Sequence, residues 1–346
     1  MMQANEDLEQ MKSEYSDTSI TVADAARELI KEIDIRRKLP NPLVGLSFGN
    51  KQLDEMTGGA HIESLYLIAG AGGDGKTTLA LQFAVFMSKY HKVDYYSLEM
   101  SVRQLTPKIL SAGTGISKSS ILHASVGDDQ IKILSSEADN IEKTGIHIID
   151  TIYDLNSLES SIRGRIKRNN TDAIFIDNRT NIRHNLKGSS TDDITIMLTY
   201  RFKNLAMEIK KPIFLLVHKN KESTSRADKR PTSSDIKYGG DIAADVIIFP
   251  YQPKNLEEPD KYGHYKYSEI VITKNRVMGD SGHIESLFDP DYDSYYCFGY
   301  DEKPIRNYNP YENSHNLNMD EKPKEAVNPN LITRQHAPAD KEEIPF

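Results

Sequence analysis

Cysteine is nearly absent from this chain of 346 residues, in which Cys297 is the single example. One cysteine excludes a disulfide framework and any cysteine-rich zinc module. Long apolar runs are also lacking: none approaches the length of a membrane span, and the polar first residues contain no signal-peptide core. We therefore expect a soluble protein of the cytoplasm that makes no contact with a membrane.

An excess of positive charge is lacking too, since the formal net charge is −8. Residues 1–20 contribute −4 and residues 301–346 contribute −3, which leaves −1 for the residues in between. Any binding to nucleic acid must then come from local basic loops and not from a basic surface. The first segment is polar and the last contains six of the fifteen prolines, so we expect both ends to be disordered.

Residues 68–78 read Ile-Ala-Gly-Ala-Gly-Gly-Asp-Gly-Lys-Thr-Thr and contain the pattern Gly-x-x-x-x-Gly-Lys-Thr. The apolar run at 64–69 predicts a buried strand before this loop, and apolar residues at helical spacing predict a helix after it. Glycines let backbone N–H groups close around phosphate oxygens, and the helix N-terminus adds its positive dipole end. This P-loop predicts binding of ATP or another nucleoside triphosphate through Gly70, Gly72, Gly73, Asp74, Gly75, Lys76, Thr77 and Thr78.

Four side chains have expected chemical roles. Lys76 should reach the β- and γ-phosphates, and the Thr77 hydroxyl should hold Mg²⁺. Asp177 follows the apolar run at 173–176, so it should reach the strand end where a second magnesium ligand is needed. Glu99 ends the strand after the P-loop helix and would face the γ-phosphate as a base for hydrolysis. The alternative for both acids is a solvated carboxylate at a strand end.

Residues 43–300 should form one domain, because strand and helix patterns alternate as far as residue 298. Such alternation predicts an α/β fold with a mainly parallel sheet and helices on both faces. Several candidate strands are nearly continuous apolar runs, as expected for strands covered on both sides. The candidates are Leu65–Ala69, Val93–Ser97, Ile146–Ile149, Ala173–Ile176, Ile213–Val217, Val246–Phe249 and Glu269–Thr273.

A linker helix is expected within residues 21–42, before the domain. Thr21 and Asp24 are typical of a helix start, and Pro40 should stop the helix. So short an amphipathic helix must bury its apolar stripe on something else. Two alternatives stay open, namely packing on its own domain and docking on a neighbouring subunit. The stripe consists of Val22, Ala26, Leu29, Ile30 and Ile33.

Three ordered motifs resemble those of the DnaB-type replicative helicases. Residues 97–100 read Ser-Leu-Glu-Met, residues 226–235 read Arg-Ala-Asp-Lys-Arg-Pro-Thr-Ser-Ser-Asp, and residues 271–276 read Val-Ile-Thr-Lys-Asn-Arg. His218 and the Gly-Asp-Ser-Gly run at 279–282 are similar to the helicase half of phage primase–helicases. The resemblance covers about residues 20–298 and implies a RecA-like P-loop NTPase core.

The resemblance also implies roles for individual side chains. Glu99 looks like the catalytic base, and His218 looks like a γ-phosphate sensor that moves the DNA-contacting loop after it. Lys274 and Arg276 look like cations that reach the nucleotide of the neighbouring subunit, where charge develops on the γ-phosphoryl oxygens. Without the resemblance, we would interpret Lys274 and Arg276 as exposed charges and His218 as a buried histidine.

Two loops should face single-stranded DNA. One follows Asp177, and the other spans about residues 219–241. Lys and Arg meet phosphates, while glycines let backbone N–H groups approach the strand. Neither loop is rich in aromatic residues, which favours tracking of the backbone over base stacking. The candidate contacts are Arg179, Arg183, Lys187, Lys219, Lys221, Lys229, Arg230, Lys237, Gly239 and Gly240.

The last five residues resemble the C-terminal tip of bacterial single-stranded-DNA-binding proteins, and phage primase–helicases also end in acidic tails that close on an aromatic residue. A terminal Phe can fill an apolar pocket while the acids steer the encounter. A primase, a polymerase or another replisome protein would be the partner. The alternative is a tail that only improves solubility. The tip consists of Glu342, Glu343, Ile344, Pro345 and Phe346.

The motifs and the resemblance predict a ring-forming, hexameric, ATP-dependent DNA helicase from a phage or mobile element. It would move along single-stranded DNA and separate the strands at a fork, with 5′→3′ direction implied by the family alone. Two other classes stay open. One is a RecA-like recombination or annealing ATPase that forms filaments on single strands, and the other is an ATP-gated loader or adaptor.

Overall fold

The computed structural model describes residues 20–38, 43–188, 190–219, 230–236, 240–253, 266–298 and 304–305. The predicted disordered ends and the C-terminal tip lie outside these residues, apart from Ile20 and residues 304–305. Within the described ranges, no helix combines the length and the apolar composition needed to cross a membrane. Four candidate DNA contacts also lie outside them, namely Lys221, Lys229, Lys237 and Gly239.

The first helix begins at the cap that the sequence suggests. The Thr21 side chain accepts a hydrogen bond from the backbone N–H of Asp24, which confirms the predicted start of the first helix. Short 3-10 turns occur at Arg179–Asn181 and Ser233–Asp235. The helices are α1 (Val22–Arg36), α2 (Lys51–Thr57), α3 (Lys76–Ser88), α4 (Val102–Thr114), α5 (Lys118–Leu122), α6 (Asp128–Glu142), α7 (Leu155–Asn169) and α8 (Thr191–Ile209).

The strands of the described chain join in one ten-stranded sheet, in the order β10-β9-β8-β7-β6-β1-β5-β4-β2-β3. Strands β3, β2, β4, β5, β1 and β6 run parallel, and β7 to β10 extend the sheet in antiparallel fashion. The strands are β1 (Leu65–Gly70), β2 (Lys92–Ser97), β3 (Gly145–Ile149), β4 (Ala173–Asp177), β5 (Ile213–His218), β6 (Val246–Tyr251), β7 (Lys266–Asn275), β8 (Gly282–Asp289), β9 (Ser294–Phe298) and β10 (Pro304–Ile305).

All the candidate strands are present, and a mainly parallel sheet with helices on both faces is confirmed. The sequence analysis missed β8, β9 and β10. Polar residues interrupt the apolar pattern of β8, and β9 and β10 are only five and two residues long. Their pairing to β7 is what extends the sheet beyond the predicted parallel strands.

Each face of the sheet buries its own apolar cluster. Tyr66 and Ile68 of β1 pack on the face covered by α3 and α4, whereas Leu65 and Leu67 pack on the face covered by α7 and α8. Successive residues of a strand point to opposite faces, so a strand covered on both sides needs apolar residues at every position. This requirement explains the continuous apolar runs in the sequence.

The parallel strands bring their C-terminal ends to one edge of the sheet. Gly70 of β1 is paired with His218 of β5, and Ser97 of β2 is paired with Asp177 of β4. The four strands lie next to one another in the order β1-β5-β4-β2. Side chains at the ends of these strands therefore share one site at this edge.

Candidate nucleotide-binding and catalytic site

The P-loop connects β1 to α3 at this edge. Gly73 and Gly75 have φ angles of 85° and 88°, a left-handed conformation that favours glycine. Lys76 is buried, and its Nζ donates a hydrogen bond to the Ala71 carbonyl at 2.8 Å. Burial lowers the pKa of Lys76, and nearby carboxylates oppose that effect. A phosphate oxygen is a stronger partner for this ammonium group than a carbonyl oxygen.

Tyr295 of β9 contacts the P-loop from the antiparallel part of the sheet. Its hydroxyl donates to the Asp74 carbonyl at 3.1 Å, and a Cβ placed on Gly75 would lie 2.0 Å from the hydroxyl oxygen. Gln82 of α3 bonds the backbone of Tyr295 in both directions, at 2.7 and 2.9 Å. Strand β9 therefore supports the P-loop and the first turns of the helix that follows it.

Asp177 ends β4 and has only 1% of its surface exposed. Its Oδ2 accepts hydrogen bonds from the Thr77 hydroxyl at 2.8 Å and from the Tyr95 hydroxyl at 2.9 Å. Its Oδ1 is buried without a hydrogen-bond partner. Burial raises the pKa of Asp177, because the charged carboxylate is poorly solvated there, and the hydrogen bonds from Thr77 and Tyr95 and the charge of Lys76 only partly oppose this. A divalent cation beside Oδ1 would supply the missing partner, so Thr77 and Asp177 fit Mg²⁺.

One side-chain amide contacts both Glu99 and His218. Asn178, which follows Asp177 by a cis peptide bond, donates through Nδ2 to Oε2 of Glu99. The same Nδ2 lies 3.4 Å from Nε2 of His218. The exposed Glu99 carboxylate can accept a proton from a water molecule, as a general base must.

Asp74 places a carboxylate at the mouth of the P-loop. Its Oδ2 accepts from the Ala71 N–H at 2.7 Å and pairs with Nζ of Lys219 at 2.8 Å. The backbone N–H of Lys219 donates to the Gly70 carbonyl at 3.1 Å. Lys219, predicted to contact DNA, therefore lies against the P-loop in this structure. The carboxylate and an incoming phosphate would compete for the same N–H group and the same ammonium group.

Lys274 and Arg276 lie at the opposite edge of the sheet. Lys274 is paired with Ile247, which is paired with Leu67 in the first half of β1. Nζ of Lys274 donates to the Asp241 carbonyl at 2.7 Å. Because a strand rises by about 3.3 Å per residue, Arg276 lies roughly 15 Å from the P-loop along the strand direction. These two cations therefore do not reach the P-loop of their own chain.

The buried position of Arg179 does not agree with the prediction that its side chain contacts DNA. Its side chain is 4% exposed, and Nη1 donates to the Thr199 hydroxyl of α8 at 3.1 Å. Burial lowers the pKa of Arg179 to about 10. A Cβ placed on Gly240 would lie 2.2 Å from this Nη1. Arg179 and Gly240 pack the two loops against each other, so the assignment of Arg179 as a surface contact for DNA is corrected, while the contact through the backbone of Gly240 stays a prediction.

The other described candidates of the two loops differ in how accessible their charge is. Arg183 and Lys187 are exposed, and the Arg183 guanidinium lies 5.5 Å from the centroid of the Tyr153 ring. Arg230 instead donates two hydrogen bonds to the buried Glu269 carboxylate, at 2.8 and 2.7 Å. A bidentate pair of this kind neutralises the guanidinium. Arg183 and Lys187 thus keep more accessible charge than Arg230.

The sequence analysis missed three residues of the site, namely Tyr95, Asn178 and Tyr295. Asn178 had a usable signal, because a polar residue directly after Asp177 leaves a buried strand at the ligand-binding edge. Tyr95 is one of two adjacent tyrosines, and only the alternation of side chains in β2 decides which one faces Asp177. Tyr295 had no local signal, since its contact depends on the pairing of β8 with β9.

Relatives with curated names match most of this chain. Residues 45–296 match the model of the DnaB-like helicase C terminal domain. The chain is 26% identical over 302 residues to a replicative DNA helicase DnaB of Rickettsia bellii, covering 78% of this chain and 60% of the relative. It is 29% identical over 255 residues to DnaB of Buchnera aphidicola, covering 71% and 54%. The match thus spans about three fifths of the length of such relatives.

Two solved structures have a similar fold. The ATPase domain of G40P superimposes with a TM-score of 0.74 at 24% identity, covering 81% of this chain and all of that domain. A DnaB-like replicative helicase, studied with its interactions with primase, has a TM-score of 0.69 at 23% identity, covering 85% and 71%. At these identities the likeness concerns the fold alone, and it confirms the predicted RecA-like ATPase fold.

Proposed function

Because the chain belongs to the DnaB-like helicase C terminal domain family, as its motifs predicted, we propose that it is the ATP-hydrolysing motor of a ring-shaped DNA helicase. The motor would move along single-stranded DNA and separate duplex strands at a replication fork. One observation carries the proposal. The P-loop, Asp177, Glu99 and His218 meet at one edge of the sheet, while Lys274 and Arg276 lie at the other.

The residues at the first edge would have different roles in hydrolysis. Lys76 and the P-loop N–H groups would hold the β- and γ-phosphates, and Thr77 and Asp177 would hold Mg²⁺. When bound, Mg²⁺ offsets the negative charge of these phosphates. Glu99 would orient the attacking water and accept its proton. His218 would sense the γ-phosphate at the end of β5, directly before the second DNA loop.

The residues at the second edge explain why the motor would be a ring. Lys274 and Arg276 are too far from their own P-loop, so their charge can act on a nucleotide only if another subunit brings its P-loop to them. An interface that joins two different edges is head-to-tail, and such interfaces close into rings or extend into helical filaments. The proposed ring is a hexamer, in line with the resemblance.

DNA and protein partners belong to the same proposal. Single-stranded DNA would contact the two loops after β4 and β5, with Arg183 and Lys187 as the described residues that offer accessible charge. Movement would be 5′→3′, and the protein would work in a bacterial cytoplasm as part of a phage or mobile element. The acidic tip at 342–346 would dock a primase or another replisome protein.

Unwinding of a forked DNA substrate tests the proposal. The wild-type protein with ATP and Mg²⁺ should separate a fork that carries a free 5′ single-stranded tail, and it should fail on a fork that carries only a 3′ tail. Lys76→Ala should abolish unwinding because the phosphates lose their buried cation. A protein that hydrolyses ATP without opening either fork would instead be a filament-forming recombination ATPase or a loader. Electron microscopy with nucleotide and single-stranded DNA would then separate filaments from rings.

A further inference from the structure

Asn178 occupies a central position that the assigned roles do not use. It directly follows Asp177, and only 1% of its surface is exposed. Its Nδ2 donates to the Glu99 carboxylate and lies 3.4 Å from Nε2 of His218. Its Oδ1 accepts from the backbone N–H of Thr180 at 3.0 Å and also from the Thr180 hydroxyl. One amide thus joins the base, the sensor and the start of the first DNA loop.

The orientation of this amide follows from its partners. A backbone N–H group can only donate, so the atom of Asn178 that faces the Thr180 N–H must be the oxygen. Nδ2 is then left to face Glu99 and His218. It carries two hydrogens, one for the carboxylate and one for the imidazole ring. His218 would accept the second hydrogen through Nε2, which leaves its own ring proton on Nδ1.

We propose that Asn178 is a positioning residue that holds the Glu99 carboxylate in its catalytic orientation beside His218. The inference rests on the proposed function, in which Glu99 is the base. Glu99 is exposed and follows the end of β2, so its flexible side chain would otherwise sample many rotamers. A donor on a buried side chain removes that freedom. Because the amide is neutral, it orients the base without neutralising it as a lysine would.

The carbonyl side of the amide gives this position a second consequence. Thr180 lies in the 3-10 turn at Arg179–Asn181, from which the first DNA loop departs. A shift of that turn on DNA binding would move Oδ1 and, through the rigid amide, the donor that faces Glu99. Asn178 therefore links occupancy of the DNA loop to alignment of the base, and its loss lowers the rate of DNA-stimulated hydrolysis.

Asn178→Asp is the decisive variant. The aspartate keeps an oxygen for the Thr180 N–H, so the turn is retained, but it presents a second oxygen to Glu99 where a donor is needed. We expect kcat for ATP hydrolysis with saturating single-stranded DNA to fall about tenfold or more, because a small misplacement of a reacting group costs rate steeply. The affinity for a fluorescent ADP should stay within about twofold of wild type, since Asn178 does not touch the P-loop.

A matched control uses another buried asparagine. Asn50 caps α2 by accepting from the Leu53 N–H at 3.0 Å and donates through Nδ2 to Sγ of Cys297, so Asn50→Asp keeps an acceptor and loses a donor, as Asn178→Asp does. This control should hydrolyse ATP at close to the wild-type rate. Wild-type kcat in Asn178→Asp would overturn the inference while leaving the proposed function intact. A wild-type protein that hydrolyses no ATP would overturn the proposed function and this inference with it.

A double-mutant cycle tests whether Asn178 acts through Glu99. In a Glu99→Gln background the base is already lost, so adding Asn178→Asp should change the residual rate by less than about twofold. If the two losses multiply, Asn178 contributes by another route and the inference is wrong. Thermal unfolding of each variant shows whether a lost rate reflects a lost fold, and the rates are compared at a temperature at which Asn178→Asp is fully folded.

Discussion

At the scale of single residues, Gly75 and Tyr295 show how closely the phosphate site is packed. Gly75 has a left-handed φ of 88°, and the space that a side chain would need is filled by the Tyr295 hydroxyl. Gly72, three positions earlier in the same loop, has neither constraint, because a Cβ there would meet nothing within 4 Å. Gly75 is a fixed glycine of the motif and Gly72 stands at one of its variable positions, and only Gly75 is required to be glycine by its surroundings.

Gly75→Ala should therefore destabilise the protein far more than Gly72→Ala. A left-handed alanine costs about 1–2 kcal/mol, and the overlap with Tyr295 adds to this. We expect the thermal midpoint of Gly75→Ala to fall by roughly 5 °C or more, and that of Gly72→Ala to change by about 1 °C or less. Differential scanning calorimetry without nucleotide measures both. Equal midpoints would show that Tyr295 does not restrict the loop.

Asp74 should weaken nucleotide binding, since its carboxylate takes the Ala71 N–H and the Lys219 ammonium that a phosphate would use. Asp74→Asn removes the negative charge and keeps an oxygen for the N–H. We expect ADP to bind about three- to tenfold more tightly, a gain of about 1 kcal/mol from reduced repulsion. Asp129→Asn, an exposed change on α6, should leave affinity unchanged in the same titration. Weaker binding in Asp74→Asn would contradict this account.

At the scale of elements, α1 has an apolar stripe that the described residues leave uncovered. None of its residues is buried, and Ile30 is 65% exposed. Leu29 and Ile33 are also exposed, so the predicted apolar stripe is present and uncovered. Of the two alternatives for this helix, packing on the described part of its own domain does not bury the stripe. Docking on a neighbouring subunit remains our proposal for it.

Replacing the stripe should then weaken assembly. The double variant Ile30→Ser/Ile33→Ser would remove two large apolar side chains from the contact with a neighbouring subunit. Burial of each such side chain stabilises the contact by about 1.5–3 kcal/mol. We expect the assembly to dissociate at protein concentrations at least about tenfold higher than wild type, as measured by light scattering. The matched control Glu28→Ser/Lys31→Ser alters the polar positions of the same helix and should assemble normally. If both pairs assemble alike, α1 does not serve as a subunit contact.

Helix α2 contains a buried acid that makes stability depend on pH. Asp54 accepts hydrogen bonds from Ser47 and from the Phe48 N–H at 2.8 Å, and burial raises its pKa to about 7. The folded state therefore binds this proton more tightly than the unfolded state, so stability from this group falls as the pH rises from about 4 to 7. Asp54→Asn removes the effect. The thermal midpoint of Asp54→Asn minus that of wild type should be roughly 5 °C larger at pH 8 than at pH 5.5. The same difference at both pH values would contradict the raised pKa.

At the scale of the whole molecule, the direction of each strand decides which residues can share a nucleotide. Parallel strands place the P-loop, Glu99, Asp177 and His218 at one edge, and the antiparallel return of β7 takes Lys274 and Arg276 to the other. Under the proposed roles of Lys274 and Arg276, a complete catalytic site needs both edges, which a single chain cannot bring together. Activity should depend on assembly for this geometric reason.

Mixing two inactive variants tests this dependence. Lys76→Ala lacks the phosphate cation and Arg276→Ala lacks the cation supplied to the neighbour, so each alone should hydrolyse ATP poorly. In a one-to-one mixture, about one quarter of head-to-tail interfaces join an intact P-loop to an intact Arg276. Hydrolysis in the mixture should rise clearly above the mean of the two variants. No gain after subunit exchange would mean that Arg276 does not act across the interface.

Much of the site could be predicted because its motifs are local. The P-loop needs glycines next to a lysine and a threonine. Asp177 ends β4 and Glu99 lies two residues after β2, and both strands were visible in the sequence. Arg179 was misplaced for the opposite reason. A basic residue in a polar loop is typical of the surface, and only the packing of α8 and Gly240 around it shows that it is buried.

The sequence by itself determined the strands from β1 to β7, the phosphate loop and the carboxylates at the strand ends, because spacing along the chain decides these features. Only the tertiary structure decided the contacts between distant segments. The pairing of β9 brings Tyr295 to the P-loop, the neighbourhood of β4 and β5 brings Asn178 to His218, and the antiparallel β7 separates Arg276 from its own P-loop. These contacts depend on which strands are neighbours in the sheet, and local sequence patterns do not specify which strands pair.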